Sequence, residues 1–349
     1  MKAVKKAATL ITSFLMAASF AVMPALAAEA QGSELIFKDV TEKDWFYNDV
    51  QFSYENKIIK GITEDTFEPD TKLSRAMAVT MLYRMAGEPD DLAYINHFED
   101  VNEGDWYFDA VSWAQRSKIV YGYSDDIFAP DDNITRADFA VMLMRYAAAE
   151  NLALPENENY KFNFKDSKDI PYYAELSVMI LASSGIIKGK TAETFAPTNE
   201  ITRAETAAML HRFSEGAIEN KSVLLANYGF EIEDVNLYYP VMSLLEVSKN
   251  DDSDLQDHAN YVNISLRSLK DDAELPECDI SVEIIYSLDW KRSDVQLHKT
   301  SDNLGFKGNL NLGEILIPFH NEIYRASITI TIGEKTETLV YYINAEEVW

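Results

Sequence analysis

One pattern occurs three times between about Glu34 and Phe213, and this internal repetition constrains the fold more than any other feature of the chain. Phe37-Lys38-Asp39-Val40 returns 61 residues later as Phe98-Glu99-Asp100-Val101, and again as Phe164-Lys165-Asp166-Ser167. Each copy then carries an Ile/Val pair before a glycine, in Ile58-Ile59-Lys60-Gly61, Ile119-Val120-Tyr121-Gly122 and Ile186-Ile187-Lys188-Gly189. Phe67-Glu68-Pro69, Phe128-Ala129-Pro130 and Phe195-Ala196-Pro197 follow. The copies close on Leu73-Ser74-Arg75-Ala76, Ile134-Thr135-Arg136-Ala137 and Ile201-Thr202-Arg203-Ala204, with glycine and arginine always 14 residues apart.

Each copy reads as helix, turn, helix. Trp106, Ala110, Val111, Trp113 and Ala114 recur at helical spacing, and Leu176, Val178, Met179 and Ile180 mark the same stretch of the third copy. The glycine is placed to end that helix in the left-handed conformation, and Phe-x-Pro cannot continue it. Ser74, Thr135 and Thr202 are predicted N-caps of the second helix. Thr135-x-x-Asp138 and Thr202-x-x-Glu205 read as capping boxes, whereas the first copy has Met77 at the acidic position.

These ordered motifs resemble the S-layer homology module. The resemblance implies modules at residues 34–86, 95–149 and 161–215 and an all-α pseudo-threefold assembly. It also implies inter-module grooves that bind secondary cell wall polysaccharide, commonly through a pyruvate ketal on a sugar. Such a sugar presents a carboxylate beside a methyl group and a ring, so its site needs a cation, backbone donors and an aromatic wall. Arg75, Arg136 and Arg203 fit the first need, in the opening turn of a helix that itself favours an anion. Trp45, Trp106 and Tyr173 fit the aromatic wall, and Gly61, Gly122 and Gly189 permit close backbone approach. Ser74, Thr135 and Thr202 complete the expected ligand-binding set. Two readings of the arginines stay open: they hold the ligand, or they form ion pairs with Asp39, Asp100 and Asp166, which are expected to brace the loop or the arginine. The tryptophans stay open between sugar platform and core.

Lys2, Lys5 and Lys6 precede an apolar run that ends at Ala25-Leu26-Ala27, the pattern of a signal peptide over residues 1–27. No later stretch approaches the roughly 20 uninterrupted apolar residues of a membrane helix. The net charge of -27 becomes -30 without the three leader lysines. Nucleic acid and anionic lipid are poor partners for such a surface, so any anionic ligand has to be captured by local positive groups. Cys278 is the only cysteine, which rules out an intrachain disulfide and a Cys-based metal site.

Ser214 to Asn220 reads as a linker. Beyond it Val262-x-Ile264-x-Leu266, Ile280-x-Val282-x-Ile284 and Ile328-x-Ile330-x-Ile332 alternate as half-buried strands do, and Gly333-Glu334-Lys335 turns into Leu339-x-Tyr341-x-Ile343 as a hairpin. The expectation for 222–349 is an all-β, immunoglobulin-like sandwich of no recognised family. His258, His298 and His320 have no zinc spacing. Asp251-Asp252-Ser253-Asp254 and Asp271-Asp272 lack the glycine and terminal glutamate of a calcium loop. Cys278 reads as a small strand-edge residue. No catalytic residue, metal or cofactor is assigned. The sequence therefore predicts an exported, wall-anchored protein whose repeats bind secondary cell wall polysaccharide or peptidoglycan and whose β region meets an unknown partner. The rival is an anchored polysaccharide-degrading enzyme, which would need a larger domain with paired carboxylates.

Overall fold

The structure, a computed structural model, describes residues 35–90, 96–157, 160–240, 261–269, 276–285, 292–299, 305–309 and 323–348. The leader, His258, His320 and both acidic stretches named above lie outside the described residues. Each repeat contributes two helices: α1 (Tyr47–Glu55) and α2 (Arg75–Met85), α3 (Phe108–Arg116) and α4 (Arg136–Ala149), α5 (Glu175–Ser183) and α6 (Arg203–Gly216). The second helix of each pair opens on the expected hydroxyl. Ser74, Thr135 and Thr202 accept the amides of Met77, Asp138 and Glu205, and Thr202 with Glu205 forms a full capping box.

The first helix of each repeat ends earlier than its glycine. The left-handed residue just past the helix is Lys57, Lys118 or Gly185, and Gly61, Gly122 and Gly189 lie four positions further on. Those glycines answer a packing need instead. A Cβ on Gly122 would meet the Ser124 carbonyl oxygen at 2.5 Å and the Phe98 ring at 2.6 Å, and Gly122 also has φ +79°. Gly122→Ala is accordingly expected to cost about 3 kcal/mol, from left-handed strain and overpacking together; urea denaturation measures this, and a loss under about 1 kcal/mol would contradict it.

The repeats meet through extended chain. Leu73 N donates to Ile201 O, Ile201 N to Ile134 O and Ile134 N to Leu73 O, at 2.9 to 3.1 Å, so three buried apolar residues close a backbone ring. Bridges Lys72 with Thr202, Ser74 with Asn133 and Thr135 with Glu200 flank that ring. An all-α assembly is thus overturned: helical periodicity placed the helices, but β-type pairing between copies joins them.

The rest of the chain adds β1 (Leu152–Ala153), β2 (Ile218–Glu219), α7 (Val223–Tyr228), β3 (Phe230–Pro240), β4 (Tyr261–Ser268), β5 (Asp279–Ile285), β6 (Arg292–Gln296), β7 (His298–Lys299), β8 (Gly305–Asn309), β9 (Ile323–Ile332) and β10 (Lys335–Val348). The strands pair in the order β6-β5-β9-β10-β3-β4-β8-β7. This corrects the immunoglobulin-like sandwich in two respects. β10 is antiparallel to β9 along its first part and parallel to β3 over Ala345–Val348. The two ends of the order, β6 and β7, are consecutive pieces of one stretch separated only by Leu297, whose amide bonds Ile280 O, so the hydrogen bonding returns on itself. Alternation identifies which residues face inward; it does not say which strands pair, and here β10 and the β6–β7 stretch each divide their length between two partners.

Nor is the β region set apart from the repeats. Ser214–Gly216 continue α6, β2 pairs with β1, and the Asn220 side chain donates to Val340 O. Ile285, Ile323 and Tyr342 belong to the same buried cluster as the repeat cores. A second cluster, including Phe230, Ile264, Ile280, Ile328 and Cys278, fills the interior between the strands. The described residues from Leu35 onward form one compact unit.

Candidate ligand grooves between the repeats

Arg75, Arg136 and Arg203 each stand at the first turn of a second helix and are 6%, 4% and 3% exposed. Each reaches into the following repeat. Arg75 Nε donates to Phe128 O, Arg136 Nε to Phe195 O and Arg203 Nε to Phe67 O, all at 2.8 Å, so the third arginine returns to the first repeat. The guanidinium carbons lie 4.8, 5.1 and 4.5 Å from the rings of those phenylalanines. Burial draws Arg203 down to about 10, against the pull of Glu68 and Asp39, which leaves it charged at neutral pH.

Of the two readings of the arginines, the ion pairs with Asp39, Asp100 and Asp166 are not formed among the described residues. Those carboxylates accept backbone amides of their own repeat: Asp39 from Phe67 and Glu68, Asp100 from Phe128 and Ala129, Asp166 from Phe195 and Ala196, at 2.6 to 2.9 Å. Glu68, Ala129 and Ala196 have φ between 57 and 58°, an unfavourable conformation that the carboxylate holds in place. Asp therefore shapes the loop, and the loop aims a carbonyl at the arginine of the preceding repeat.

The helix N-termini are also occupied. The Arg75 and Ala76 amides bond Asp132 O and Pro130 O, those of Arg136 and Ala137 bond Asn199 O and Pro197 O, and those of Arg203 and Ala204 bond Thr71 O and Pro69 O. The backbone donors expected to favour an anion are consumed in joining the repeats. The hydroxyls of Ser74, Thr135 and Thr202 are likewise taken up in capping.

A cavity lies beside Arg75 and another beside Arg136. The first, about 430 Å³, is lined by Arg75 from the first repeat, by Tyr121, Gly122, Tyr123, Asp138 and Arg145 from the second, and by Tyr173 from the third. The second, about 380 Å³, takes Arg136 from the second repeat, Lys188, Gly189, Lys190, Glu205 and Arg212 from the third, and Trp45 from the first. Trp45 and Trp106 are 65% and 63% exposed, so neither is core, and Tyr173 is 45% exposed. Tyr173 donates to Asp138 Oδ1 at 2.7 Å, and burial followed by that bond raises its pKa. Burial pushes Glu205 up, yet Arg136, the Thr202 amide and Lys190 outweigh it, and the carboxyl titrates below its usual range. The cavities do not include Trp106, Gly61 or Arg203.

Arg84, Arg145 and Arg212 were not among the expected site residues. Their signal was an arginine nine positions after Arg75, Arg136 and Arg203 in every copy. Nine residues are two and a half helical turns, so the two arginines leave the helix on opposite sides. The later one turns back to its own repeat, donating to Ile58 O, Ile119 O or Ile186 O, and in the two cavities it faces the earlier arginine of the preceding repeat.

The family model of the S-layer homology domain matches this chain at residues 36–78, 97–140 and 163–207. The amylopullulanase of Thermoanaerobacterium thermosulfurigenes is 32% identical over 180 residues, which are 51% of this chain and 9% of that protein. The cellulosome-anchoring protein of Acetivibrio thermocellus is 30% identical over 170 residues, 48% of this chain and 37% of its own length. An S-layer protein of Bacillus thuringiensis subsp. finitimus is 28% identical over 174 residues, 50% of this chain and 21% of that protein. The chain thus spans well under half the length of each of these relatives.

Proposed function

We propose that this chain, whose three repeats are S-layer homology domains, is held at the bacterial cell surface by binding anionic wall polysaccharide in the grooves between its repeats. One observation carries the reading: each cavity is completed by all three repeats, with a buried arginine from one, a glycine turn and second arginine from the next, and an exposed aromatic from the last. A charged fork beside an aromatic wall suits a sugar that bears an anionic substituent, and a pyruvate ketal is the substituent proposed for the Arg75 groove. Arg75, Arg136, Gly122, Gly189, Trp45 and Tyr173 are the proposed ligand contacts, with Arg203, Gly61 and Trp106 as their counterparts at the third junction. Ser74, Thr135 and Thr202 act through the helix caps, and Asp39, Asp100 and Asp166 through the loops. The chain as a whole carries such a strong negative charge that attraction has to be local.

The reading assigns no reaction to this chain; the activities in its relatives' names are those proteins' own. No helix among the described residues is long and apolar enough to cross a membrane. The β region is proposed to be presented at the surface on the same rigid body. Co-sedimentation of the full chain with purified walls tests the anchor. Binding is expected to disappear after mild acid removes the polymer and its ketals, whereas binding that survives would transfer the ligand to peptidoglycan.

A further inference from the structure

We propose that the two grooves select different anions: the Arg75 groove a single carboxylate beside an apolar ring face, the Arg136 groove a doubly charged group such as a sugar phosphate. This rests on the anchoring role proposed above and specifies its ligands. The groove turn is Tyr121-Gly122-Tyr123 in the first cavity and Lys188-Gly189-Lys190 in the second.

In the first groove each tyrosine covers a guanidinium. The Tyr123 ring lies 4.4 Å from Arg75 Cζ and the Tyr121 ring 4.7 Å from Arg145 Cζ. Two cations face one carboxylate, Asp138, which is held by the hydroxyls of Tyr173 and Thr135 at 2.7 and 2.6 Å. The net excess is one positive charge on planar groups between aromatic faces, which matches a monoanion with adjoining apolar surface.

In the second groove lysines replace both tyrosines. Among the residues lining this cavity, Arg136, Lys188, Lys190 and Arg212 face only Glu205, while Asp166 and Asp49 act on the two arginines from outside it. Glu205 is bridged to Arg136 at 3.3 Å and to Lys190 at 3.1 Å, so its single charge is shared by two of the four cations. An excess of three positive charges among the lining residues of a partly enclosed cavity calls for more than one negative charge from the ligand. Compact ammonium groups on flexible stems suit phosphate oxygens as point charges.

The test is isothermal titration of the full chain with two probes, methyl mannoside 6-phosphate and a methyl mannoside carrying a 4,6-pyruvate ketal. Wild type is expected to bind both. The double change Lys188→Tyr with Lys190→Tyr, at two exposed positions, should weaken the phosphate probe at least about tenfold, or about 1.4 kcal/mol, and leave the ketal within about twofold. Tyr123→Ala, also exposed, should do the reverse. The proposal is overturned if wild type does not bind the phosphate probe, or if either variant weakens both probes alike. Wall co-sedimentation with the same preparations separates the two failures: retained wall binding alongside such a result removes the selectivity and keeps the anchor, while no wall binding removes both.

Discussion

Arg203→Ala is expected to lower the melting temperature by about 10 °C, because this side chain joins the third repeat to the first. It donates from Nε to Phe67 O and from Nη2 to Lys60 O, both at 2.8 Å, and stacks on the Phe67 ring. Hydrogen bonds from a charged donor contribute about 1.5–3 kcal/mol each, and truncation leaves the buried Phe67 carbonyl and the part-buried Lys60 carbonyl without that donor. A loss of about 4 kcal/mol is therefore expected, which at about 2–4 °C per kcal/mol gives the stated shift. Arg203→Lys keeps the charge but not the fork, and should recover less than half. Differential scanning calorimetry is the measurement, and a fall of under about 2 °C for the alanine variant would remove the role. The same geometry alters what an arginine-to-alanine series can mean for wall binding. Lost binding has to be compared with the loss of fold, which is why exposed positions such as Tyr123 and Lys188 are the cleaner probes of the grooves.

The second large effect is expected at Glu156, where the repeats grip the β region. Arg325 Nε donates to both carboxylate oxygens at 2.8 Å, and Tyr342 OH donates to Oε1 at 3.0 Å. Arg325 also reaches Ser327 Oγ, and the Leu154 amide bonds the Tyr342 hydroxyl. Both members of the ion pair are largely buried. Glu156→Ala strands a buried guanidinium and should cost about 3–5 kcal/mol, whereas the paired change Glu156→Leu with Arg325→Met should recover most of the loss. Urea unfolding of the single and double variants decides this; equal destabilisation in both would show that the charge pair is not the reason. The expected consequence is mechanical as well as energetic. With the pair intact, the β region moves with the anchor, and without it the attachment depends on apolar contacts through Ile285, Ile323 and Tyr342, on the β1–β2 pairing and on the Asn220 hydrogen bond.

Much of the candidate site was legible because its residues recur at fixed spacing. The three arginines, the glycines and the capping hydroxyls were visible as positions, and so were the strands around Ile264, Ile280 and Ile328. Their partners were not. Asp39, Asp100 and Asp166 lie 28 to 30 residues before the amides they hold, and nothing in the local pattern distinguishes a loop brace from an ion-pair partner. The second arginine of each helix had a repeat signal as strong as the first, yet its nine-residue offset points it to the opposite side, where a groove exists only once the neighbouring repeat is in place.

The sequence by itself determined the repeat, the helix starts, the inward faces of the strands and the local sign of charge, all of which depend on residues within a turn or two of each other. Only the tertiary structure decided that the repeats join through the extended ring of Leu73, Ile134 and Ile201 and that the helix N-termini are already spent on neighbouring carbonyls. It also decided that β6 and β7 bring the strand order back on itself. These are hydrogen-bond pairings between segments far apart in the chain. Backbone amides and carbonyls are identical in every residue but proline, so their choice of partner is written in geometry and not in side-chain pattern.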